Sequence, residues 1–385
     1  MKKPLLLAAI SLAAILLLAG CGGGGSTAAE AGASAQQAAE AEAAEVATAT
    51  ETNETAEESD LGGSLEADGT SGDKLPQRSS EPAAVPQRSS EPAAVSGSPT
   101  VYFTSDISAE GLVRIYEALG WTPSGKTAVK ISTGEPPASN YLRPELIGDL
   151  VQKLDGTIVE CNTAYGGSRA SSAMHRQVAE DHGFTAIADF DLMDEEGEVE
   201  WPVTGGSRLD KIIVGSHAEN YTDWVILSHF KGHAMAGFGG AIKNVGIGIS
   251  SPSGKVYVHS AGTRTSGSIM HSDQDEWLEA LAEMVSGFRD HVGEEHIIYI
   301  NVMNRLSVDC DCDGNPDEPD MHDIGILASF DPVALDQACV DLVYQAQDSE
   351  ALVNRIESRN GIHTLEHAEE IGLGSRTYEL VSIDE

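Results

Sequence analysis

From residue 101 onward, short apolar segments alternate with segments in which apolar residues recur every three or four positions. Short segments such as residues 224–228 and 297–302 have the length and β-branched content of buried strands. Longer ones, such as residues 275–292, place their apolar side chains on one helical face. Parallel sheets covered by helices have this order of elements. The sequence therefore predicts an α/β fold, a mostly parallel sheet with helices on both faces, over residues 101–385.

The individual elements follow from the same periodicities. Strands are predicted at residues 101–103, 127–131, 156–162, 211–214, 224–228, 255–259, 297–302, 324–328 and 378–383. Helices are predicted at residues 108–119, 144–154, 172–183, 275–292, 331–346, 351–358 and 364–371. In parallel sheets ligands gather at the carboxyl ends of strands, so the loops that follow residues 228 and 302 are the first places to look for a site.

The first twenty residues are typical of a secretory signal. Lys2 and Lys3 precede an apolar stretch at residues 4–18, which is short for a membrane-spanning helix. The sequence Leu-Ala-Gly-Cys at residues 18–21 resembles the lipobox of bacterial lipoproteins. This resemblance implies that Cys21 is lipid-modified and anchors the protein to the extracytoplasmic face of a bacterial membrane. The alternative is a soluble secreted protein in which Cys21 has no such role.

Residues 21–97 consist mainly of Ala, Glu, Ser, Thr, Gly and Pro and show no hydrophobic periodicity. Within them, residues 76–85 are repeated without change as residues 86–95. A segment of this composition buries too little apolar surface to offset the entropy lost on ordering. We therefore predict a disordered, acidic linker that separates the folded domain from the membrane.

The chain carries a formal net charge of −38, and after residue 100 the acidic residues outnumber the basic ones by 47 to 18. A field of this sign repels nucleic acid and anionic lipid, whereas it favours cations and solubility. Nucleic acid is therefore excluded as a partner.

The first candidate loop, residues 229–248, contains two histidines, two lysines and six glycines. His229 and His233 bracket Lys231, and in a helix their spacing would let both imidazoles bind one metal ion. Glycines 239 and 240 would allow backbone N–H groups to approach an anionic cofactor beside Lys231. The alternative is a glycine-rich connection with surface histidines.

Two polar residues near the end of this loop, Lys243 and Asn244, add a positive charge and hydrogen-bonding groups. We predict that they hold an anionic substrate and act as catalytic residues. The loop lacks the spacing of a Walker motif or of a dinucleotide fingerprint. A small anionic ligand is therefore favoured over a nucleotide.

The second candidate loop, residues 309–320, matches the calcium-loop pattern at positions 1, 3, 5, 6 and 9. Asp309 and Asp311 would be calcium ligands in that case. Cys310 and Cys312 are soft ligands suited to zinc or iron, or they form a disulfide in an oxidising compartment. A transition metal or iron–sulfur cluster, calcium, and no metal all remain open.

Four segments occur in an order that resembles the DUF362 family: Lys-Gly-His, Gly-Gly-Ala-Ile-Lys-Asn-Val-Gly, Asp-Cys-Asp-Cys and Asp-Pro-Val-Ala-Leu-Asp. The resemblance covers about residues 101–383. Members of this uncharacterised family are often labelled iron–sulfur centre proteins, and the resemblance implies that cofactor. The positions it implicates are His233, Lys243, Asn244, Cys310, Cys312, Asp331 and Asp336. The family's frequent ferredoxin module, with Cys-x-x-Cys-x-x-Cys runs, does not occur in this sequence.

Asp331 and Asp336 are candidate catalytic residues, with structural alternatives. Asp331 stands where a helix cap is expected, and Asp336 lies in the first turn, where acidic residues are favoured. Together the two loops predict a lipid-anchored protein that binds a metal or metallocofactor, with a redox or metal-dependent role. The alternative is a non-catalytic envelope lipoprotein that binds calcium or a small anionic ligand.

Overall fold

The computed structural model describes residues 97–270, 273–319 and 321–384. The predicted signal segment, Cys21, the repeat and almost all of the linker lie outside these residues. Within the described ranges, no helix combines the length and the apolar character needed to cross a bilayer.

Twelve strands and nine α-helices make up the described part of the chain. The strands are β1 (Thr100–Thr104), β2 (Thr127–Lys130), β3 (Thr157–Glu160), β4 (Phe190–Leu192), β5 (Glu198–Pro202), β6 (Lys211–Gly215), β7 (Asp223–His229), β8 (Lys231–His233), β9 (Gly237–Gly239), β10 (Ile297–Met303), β11 (Gly325–Ser329) and β12 (Glu379–Ser382). The helices are α1 (Ala109–Ala118), α2 (Pro144–Lys153), α3 (Ser172–Asp181), α4 (Ala241–Gly246), α5 (Pro252–His259), α6 (Gln274–Val292), α7 (Pro332–Gln345), α8 (Glu350–Ser358) and α9 (His363–Glu370). Short 3-10 turns cover Phe184–Ala186, Ser216–Asn220 and Glu294–His296.

Eight strands form one sheet in the order β12-β1-β11-β10-β7-β2-β3-β4. Strand β11 runs antiparallel to its neighbours β1 and β10, and the other pairs are parallel. The predicted α/β class with a mostly parallel sheet is confirmed. Strands β10, β7, β2 and β3 consequently end at the same edge of the sheet, whereas β11 begins there.

Helices cover both faces of this sheet because its central strands are apolar on both sides. Val225 and Leu227 of β7 pack with the helices α1 and α2 on one face. Trp224 and Ile226 face the other side and pack with α6 and α7. This alternation explains why residues 224–227 form a continuous apolar run in the sequence.

The strand predicted at residues 255–259 is wrong, because these residues belong to helix α5. Ser251 caps this helix by accepting a hydrogen bond from the Gly254 N–H, and Pro252 occupies its first turn. The Val-Tyr-Val run suggested a strand. Its side chains are instead buried in the helix, so the cap and the tertiary packing override the local β preference.

The glycine-rich segment is more regular than a loop. It forms the hairpin β8–β9 and then the short helix α4. In β8, Gly232 lies so close to the backbone of Val308 that an added Cβ would approach the Val308 carbonyl oxygen to 2.3 Å. Glycine therefore allows the hairpin to pack directly on the chain that leads into the cysteine-containing loop.

Candidate functional site

Both candidate loops line one crevice at the carboxyl ends of β2, β3, β7 and β10. Ser132 follows β2, Cys161 follows β3 and His229 ends β7. The loop with Cys310 and Cys312 follows β10. Ligand sites of open α/β sheets lie at this position. The sequence predicted that the two loops would meet here, and the structure brings them together.

Among the described residues, the crevice is lined by more basic side chains than carboxylates. The basic residues are Lys130, Arg169, Lys231, Lys243 and Lys255, and the carboxylates are Glu160 and Asp311. This local excess of positive charge stands against a net charge of −38 for the whole chain. A positively charged crevice concentrates anions and disfavours free cations.

Lys130 and Glu160 form a buried ion pair in the crevice wall, with 2.7 Å between Nζ and Oε2. The other carboxylate oxygen accepts a hydrogen bond from the Thr133 N–H at 2.9 Å. Burial alone would raise the pKa of Glu160, but the electrostatic interactions with Lys130, His175 and Arg169 outweigh it and lower this pKa to about 2. Glu160 is therefore ionised, and it balances the charge of Lys130.

Asn244 holds this ion pair in place. Its Oδ1 accepts a hydrogen bond from Lys130 Nζ at 3.0 Å. Its Nδ2 donates toward the carbonyl oxygens of Lys130 and Leu227 at 3.1 and 3.2 Å. The amide of Asn244 therefore ties α4 to β2 and β7, and its catalytic role stays a prediction.

Asp311 links the two candidate loops through its buried carboxylate. Its Oδ1 lies 2.8 Å from His229 Nδ1, and its Oδ2 accepts a hydrogen bond from Lys231 Nζ at 2.8 Å. Burial raises the pKa of Asp311, but the charges of Lys231 and His229 outweigh it and lower this pKa below its ordinary value. The carboxylate is ionised and balances the charge of Lys231.

Both ring nitrogens of His229 have contacts within the protein. Its Nδ1 faces the Asp311 carboxylate, and its Nε2 lies 2.6 Å from the carbonyl oxygen of Asn304. Both ring nitrogens are therefore turned toward oxygen atoms of the protein itself. The helical spacing that would turn His229 and His233 toward one ion is not formed, since the two residues lie in β7 and β8.

His233 is a neutral, buried imidazole. Its Nδ1 accepts hydrogen bonds from the N–H groups of Met235 and Ala236 at 3.1 and 2.9 Å. Burial, together with the positive charges of Lys243 and Lys231, lowers the pKa of His233 well below its ordinary value. With Nδ1 as an acceptor, the ring proton is on Nε2.

Lys243 differs from Lys130 and Lys231 because, among the described residues, no hydrogen-bond or ion-pair partner contacts its ammonium group. It projects from α4 and lines the crevice. Burial, followed by the repulsion of Lys231, lowers the pKa of Lys243 to about 7 even though Asp311 raises it. The crevice thus contains an amine that changes charge near neutral pH.

Asp336 belongs to α7, and its carboxylate lies at the amino terminus of α4. Its carboxylate accepts hydrogen bonds from the N–H groups of Ala241 and Ile242 at 2.8 and 3.0 Å and from Asn301 Nδ2 at 2.7 Å. The backbone N–H groups that follow Gly240 are therefore already paired. The structural alternative for Asp336 is thus present, since its carboxylate positions α4, and the N–H groups of Ala241 and Ile242 after Gly240 are not free for an anion.

Replacing Gly240 with alanine is expected to lower the free energy of unfolding by about 1–3 kcal/mol. The added Cβ would lie 2.3 Å from Oδ1 of Asp336, so the carboxylate or the start of α4 must move. Gly166→Ala is a matched control, because no atom lies within 4 Å of the position of its Cβ. Urea denaturation measures both changes, and equal losses in the two variants would contradict this role of Gly240.

Asp331 lies at the opposite edge of the sheet. Its Oδ1 accepts hydrogen bonds from the N–H groups of Val333 and Ala334 at 2.8 and 2.9 Å, and it caps α7. Because β11 is antiparallel to β10, Ser329 at its end pairs with Tyr299 near the beginning of β10. The structure therefore does not support a catalytic role for Asp331.

Cys310 and Cys312 are joined by a disulfide in the crevice wall. The segment between β2 and α2 supports this loop, since the Glu135 N–H donates to the Asp311 carbonyl at 2.8 Å and the Ala138 N–H to that of Gly314 at 3.0 Å. A ring nitrogen of His233 and the two sulfur atoms all lie within 4.8 Å of one another. Of the open alternatives for the pair, the structure shows the disulfide.

The calcium-loop pattern does not produce a calcium site in the described residues. Asp311 points to Lys231 and His229, Asp309 accepts a hydrogen bond from the Asp317 N–H, and Asp313 accepts one from the Asn315 N–H. The three carboxylates therefore have separate partners and do not converge on one ion. The last position of the pattern, residue 320, lies outside the described residues.

The sequence did not single out Lys130, Glu160, Arg169 or Lys255. The available signal was a charged residue at the end of a strand that is otherwise apolar, as in Thr127–Lys130 and Thr157–Glu160. A buried charge of this kind requires a partner. The predicted residues Lys231 and Gly239 do line the crevice, and Gly239 lies beside the side chains of Lys231 and Lys243.

A family model described as "Domain of unknown function (DUF362)" matches residues 127–341, which is more than half of the chain. This segment contains all four motifs on which the resemblance was based. The chain belongs to the DUF362 family. No curated protein matches this DUF362 protein.

Two solved structures are similar to the DUF362 protein. The lactate racemase apoprotein from Thermoanaerobacterium thermosaccharolyticum shares 14% sequence identity, and the match covers 54% of this chain and 51% of that one with a TM-score of 0.35. A Thermotoga maritima protein solved by the Northeast Structural Genomics Consortium shares 12% identity, covering 68% of this chain and 58% of that one with a TM-score of 0.36. The chain thus spans about half the length of the racemase apoprotein that it matches.

The iron–sulfur cluster implied by the family resemblance does not fit this crevice. Besides Cys310 and Cys312, Cys161 lines it, whereas Cys339 does not. The Cys161 thiol donates a hydrogen bond to the Ile249 carbonyl at 3.2 Å, and burial raises its pKa to about 12. The described residues of the DUF362 protein therefore offer no set of four thiolates for a cluster. Family membership and the group of His233, Cys310 and Cys312 remain compatible with binding of a single metal ion.

Proposed function

We propose that the crevice binds a small dianion, such as a dicarboxylate or a phosphate, and that the Lys243 ammonium contacts it directly. The single observation that carries this proposal is an ammonium group that has no ion-pair or hydrogen-bond partner among the described residues and lies in a crevice with excess positive charge. Lys130 is balanced by Glu160, and Lys231 is balanced by Asp311. Lys243 has no such partner among the described residues, so a ligand supplies its counter-charge.

Lys255 is the proposed partner of the second negative charge of the ligand. It lines the same crevice, and its Nζ donates to the Ser250 carbonyl oxygen at 2.5 Å. In the described part of the chain no carboxylate forms an ion pair with it, and burial lowers its pKa. Arg169, in contrast, is paired with Glu135 at 3.0 Å. Two uncompensated ammonium groups favour a dianion over a monoanion.

Oxalate and its neutral isostere oxamide provide the test. Isothermal titration calorimetry of the oxidised protein is expected to show one oxalate site whose affinity falls as salt is added, and no oxamide site. Malonate and phosphate extend the panel to other dianions. Equal affinity for oxalate and oxamide, or no binding of any dianion in the panel, would contradict the proposal.

A transition metal is a second candidate ligand, and the proximity of His233, Cys310 and Cys312 favours it. These residues supply one nitrogen and two sulfurs, a donor set suited to zinc or iron. Such an ion would act as a Lewis acid on a bound anion. Binding requires reduction of the disulfide and a shift of the His233 ring proton from Nε2 to Nδ1, with loss of the hydrogen bonds that Nδ1 accepts, so the oxidised protein should not bind it.

Metal analysis after reduction and gel filtration tests this second candidate. We expect the reduced protein to retain zinc, and the oxidised protein and the Cys310→Ser/Cys312→Ser variant to retain none. Cys339→Ser, which removes a buried thiol outside the crevice, is the control and should behave as wild type. Equal zinc content in the reduced wild-type protein and the double variant would exclude this metal site.

We also propose that the protein is lipid-anchored through Cys21 at the extracytoplasmic face of a bacterial membrane. The support is the Leu-Ala-Gly-Cys sequence after an apolar segment. Mass spectrometry of the amino-terminal peptide should find an acylated Cys21. Cys21→Ser should move the protein to the soluble fraction, and an unmodified Cys21 in membrane-bound protein would contradict the anchor.

A further inference from the structure

We propose that the Cys310–Cys312 disulfide is the reactive group of this crevice and that it exchanges with low-molecular-weight anionic thiols. This inference rests on the proposed function, because the ammonium groups that bind a dianion would also attract an anionic thiol. Besides binding a dianion, the crevice would then carry out thiol–disulfide exchange, with small anionic thiols as its substrates.

The position of the disulfide makes this reaction possible. Both cysteines line the crevice with Lys231 and Lys243. Cys310 is buried, with a 6% exposed surface, whereas Cys312 is partly exposed. A thiol that enters the crevice therefore reaches Cys312 first, and it does so among positive charges that favour its thiolate form.

The local hydrogen bonds give the exchange a direction. The backbone N–H of Cys312 donates to the sulfur of Cys310 at 3.3 Å. A donor at this position stabilises negative charge on the Cys310 sulfur when it leaves. The buried sulfur is thus the leaving group, and the partly exposed sulfur is the one attacked.

The reaction balances without any further reagent. The sulfur of the incoming thiolate attacks Cys312 Sγ, a new S–S bond forms, the Cys310–Cys312 bond breaks, and its electron pair leaves on Cys310 Sγ. A second thiolate attacks the sulfur of the bound thiol and releases the small disulfide together with the Cys312 thiolate. Two thiols are oxidised, the protein disulfide is reduced to two thiols, and the protons lost by the substrates end on the cysteines.

The surrounding loop holds the pair in place during this exchange. Asp311 stands between the two cysteines, and its carboxylate is held by His229 and Lys231. Its carbonyl accepts a hydrogen bond from the Glu135 N–H. Since these contacts do not involve the sulfur atoms, breaking the disulfide leaves the backbone of the loop anchored.

Reduction of the full-length oxidised protein by two thiols tests the charge preference. Thioglycolate is anionic and 2-mercaptoethanol is neutral, and peptide mapping follows the state of Cys310 and Cys312 over time. Normalised to thiolate concentration, thioglycolate should react about tenfold faster, the low end of what a charged cleft adds to an association rate. Lys243→Gln should remove most of this preference. Lys153→Gln, on the exposed surface of α2, should retain it.

Single-cysteine variants test the direction of attack. Dithiodiglycolate, the disulfide of thioglycolate, should form a mixed disulfide rapidly with Cys312 in Cys310→Ser and slowly with Cys310 in Cys312→Ser. Equal trapping of both variants, or equal normalised rates with thioglycolate and 2-mercaptoethanol, would overturn the inference. Oxalate titration of the same preparation separates the two proposals: dianion binding without a thiol preference rejects only the exchange reaction, whereas loss of both rejects the binding site.

Discussion

Replacing Asp311 with alanine is expected to lower the free energy of unfolding by about 3–5 kcal/mol, as measured by urea denaturation at pH 7. The carboxylate is buried, and it accepts hydrogen bonds from both His229 and Lys231. Its removal leaves the buried ammonium of Lys231 without its counter-charge and removes the link between the two loops. The loss is large because one buried partner remains charged.

The pH dependence of this loss follows from the lowered pKa of Asp311 in the folded protein. A carboxylate of this kind stabilises the fold above its unfolded pKa, near 3.8, and the stabilisation disappears as the pH falls toward the folded value. The difference between wild type and variant should therefore be full at pH 7 and shrink below about pH 4. A constant difference over this range would contradict the ion-pair account.

Asp317→Ala is the matched control for this variant. Asp317 belongs to the same loop, but its side chain is exposed. Its replacement should change the free energy of unfolding by no more than about 0.5 kcal/mol. If Asp311→Ala is too unstable to purify, Asp311→Asn keeps the shape of the side chain and should still lose most of the stabilisation by the ion pair.

Replacing Lys243 with methionine is expected to weaken oxalate binding by about 10- to 100-fold, which corresponds to the loss of one hydrogen bond to a charged group. The same change should stabilise the fold at pH 6. Because burial and Lys231 lower the pKa of Lys243 to about 7, its positive charge costs stability below pH 7, and this cost is relieved as the pH rises from there toward 10.5. Weaker binding by a more stable protein cannot result from misfolding.

Lys153→Met is the control for this second variant. Lys153 is exposed on α2 and pairs with Glu117, away from the crevice. It should bind oxalate as the wild type does. Equal loss of affinity in the two variants would mean that overall charge, and not a contact with Lys243, determines binding.

The sheet and most of the helices could be predicted because their residues alternate or recur with the period of the element. In β10, Ile298 and Ile300 face one core while Ile297 and Tyr299 face the other, and only a doubly covered strand has this pattern. The direction of β11 could not be predicted, because an antiparallel strand buried on both faces has the same apolar run. This one reversal places Asp331 far from the site.

The place of the site could be predicted from the sequence, but the roles of its residues could not. The end of β7 and the loop after β10 meet because β7 and β10 are parallel neighbours. Whether His229 binds a metal depends on what its two nitrogens face, and this is decided by Asp311, 82 residues away in sequence, and by the Asn304 carbonyl. Helix α5 could not be predicted for a similar reason. Its Val-Tyr-Val run is typical of a strand, and its helical structure depends on the Ser251 cap and on tertiary packing.

The most direct test of the dianion site is the pH dependence of oxalate affinity in the wild-type protein and in Lys243→Met, measured by calorimetry between pH 6 and pH 9. Oxalate stays fully ionised over this range, so a change in affinity reports on the protein. Above the Lys243 pKa of about 7, wild-type affinity should fall by up to about tenfold per pH unit as the ammonium loses its proton. The Lys243→Met variant should bind weakly and with little pH dependence. The same pH dependence in both proteins would contradict binding of the anion by the ammonium group of Lys243.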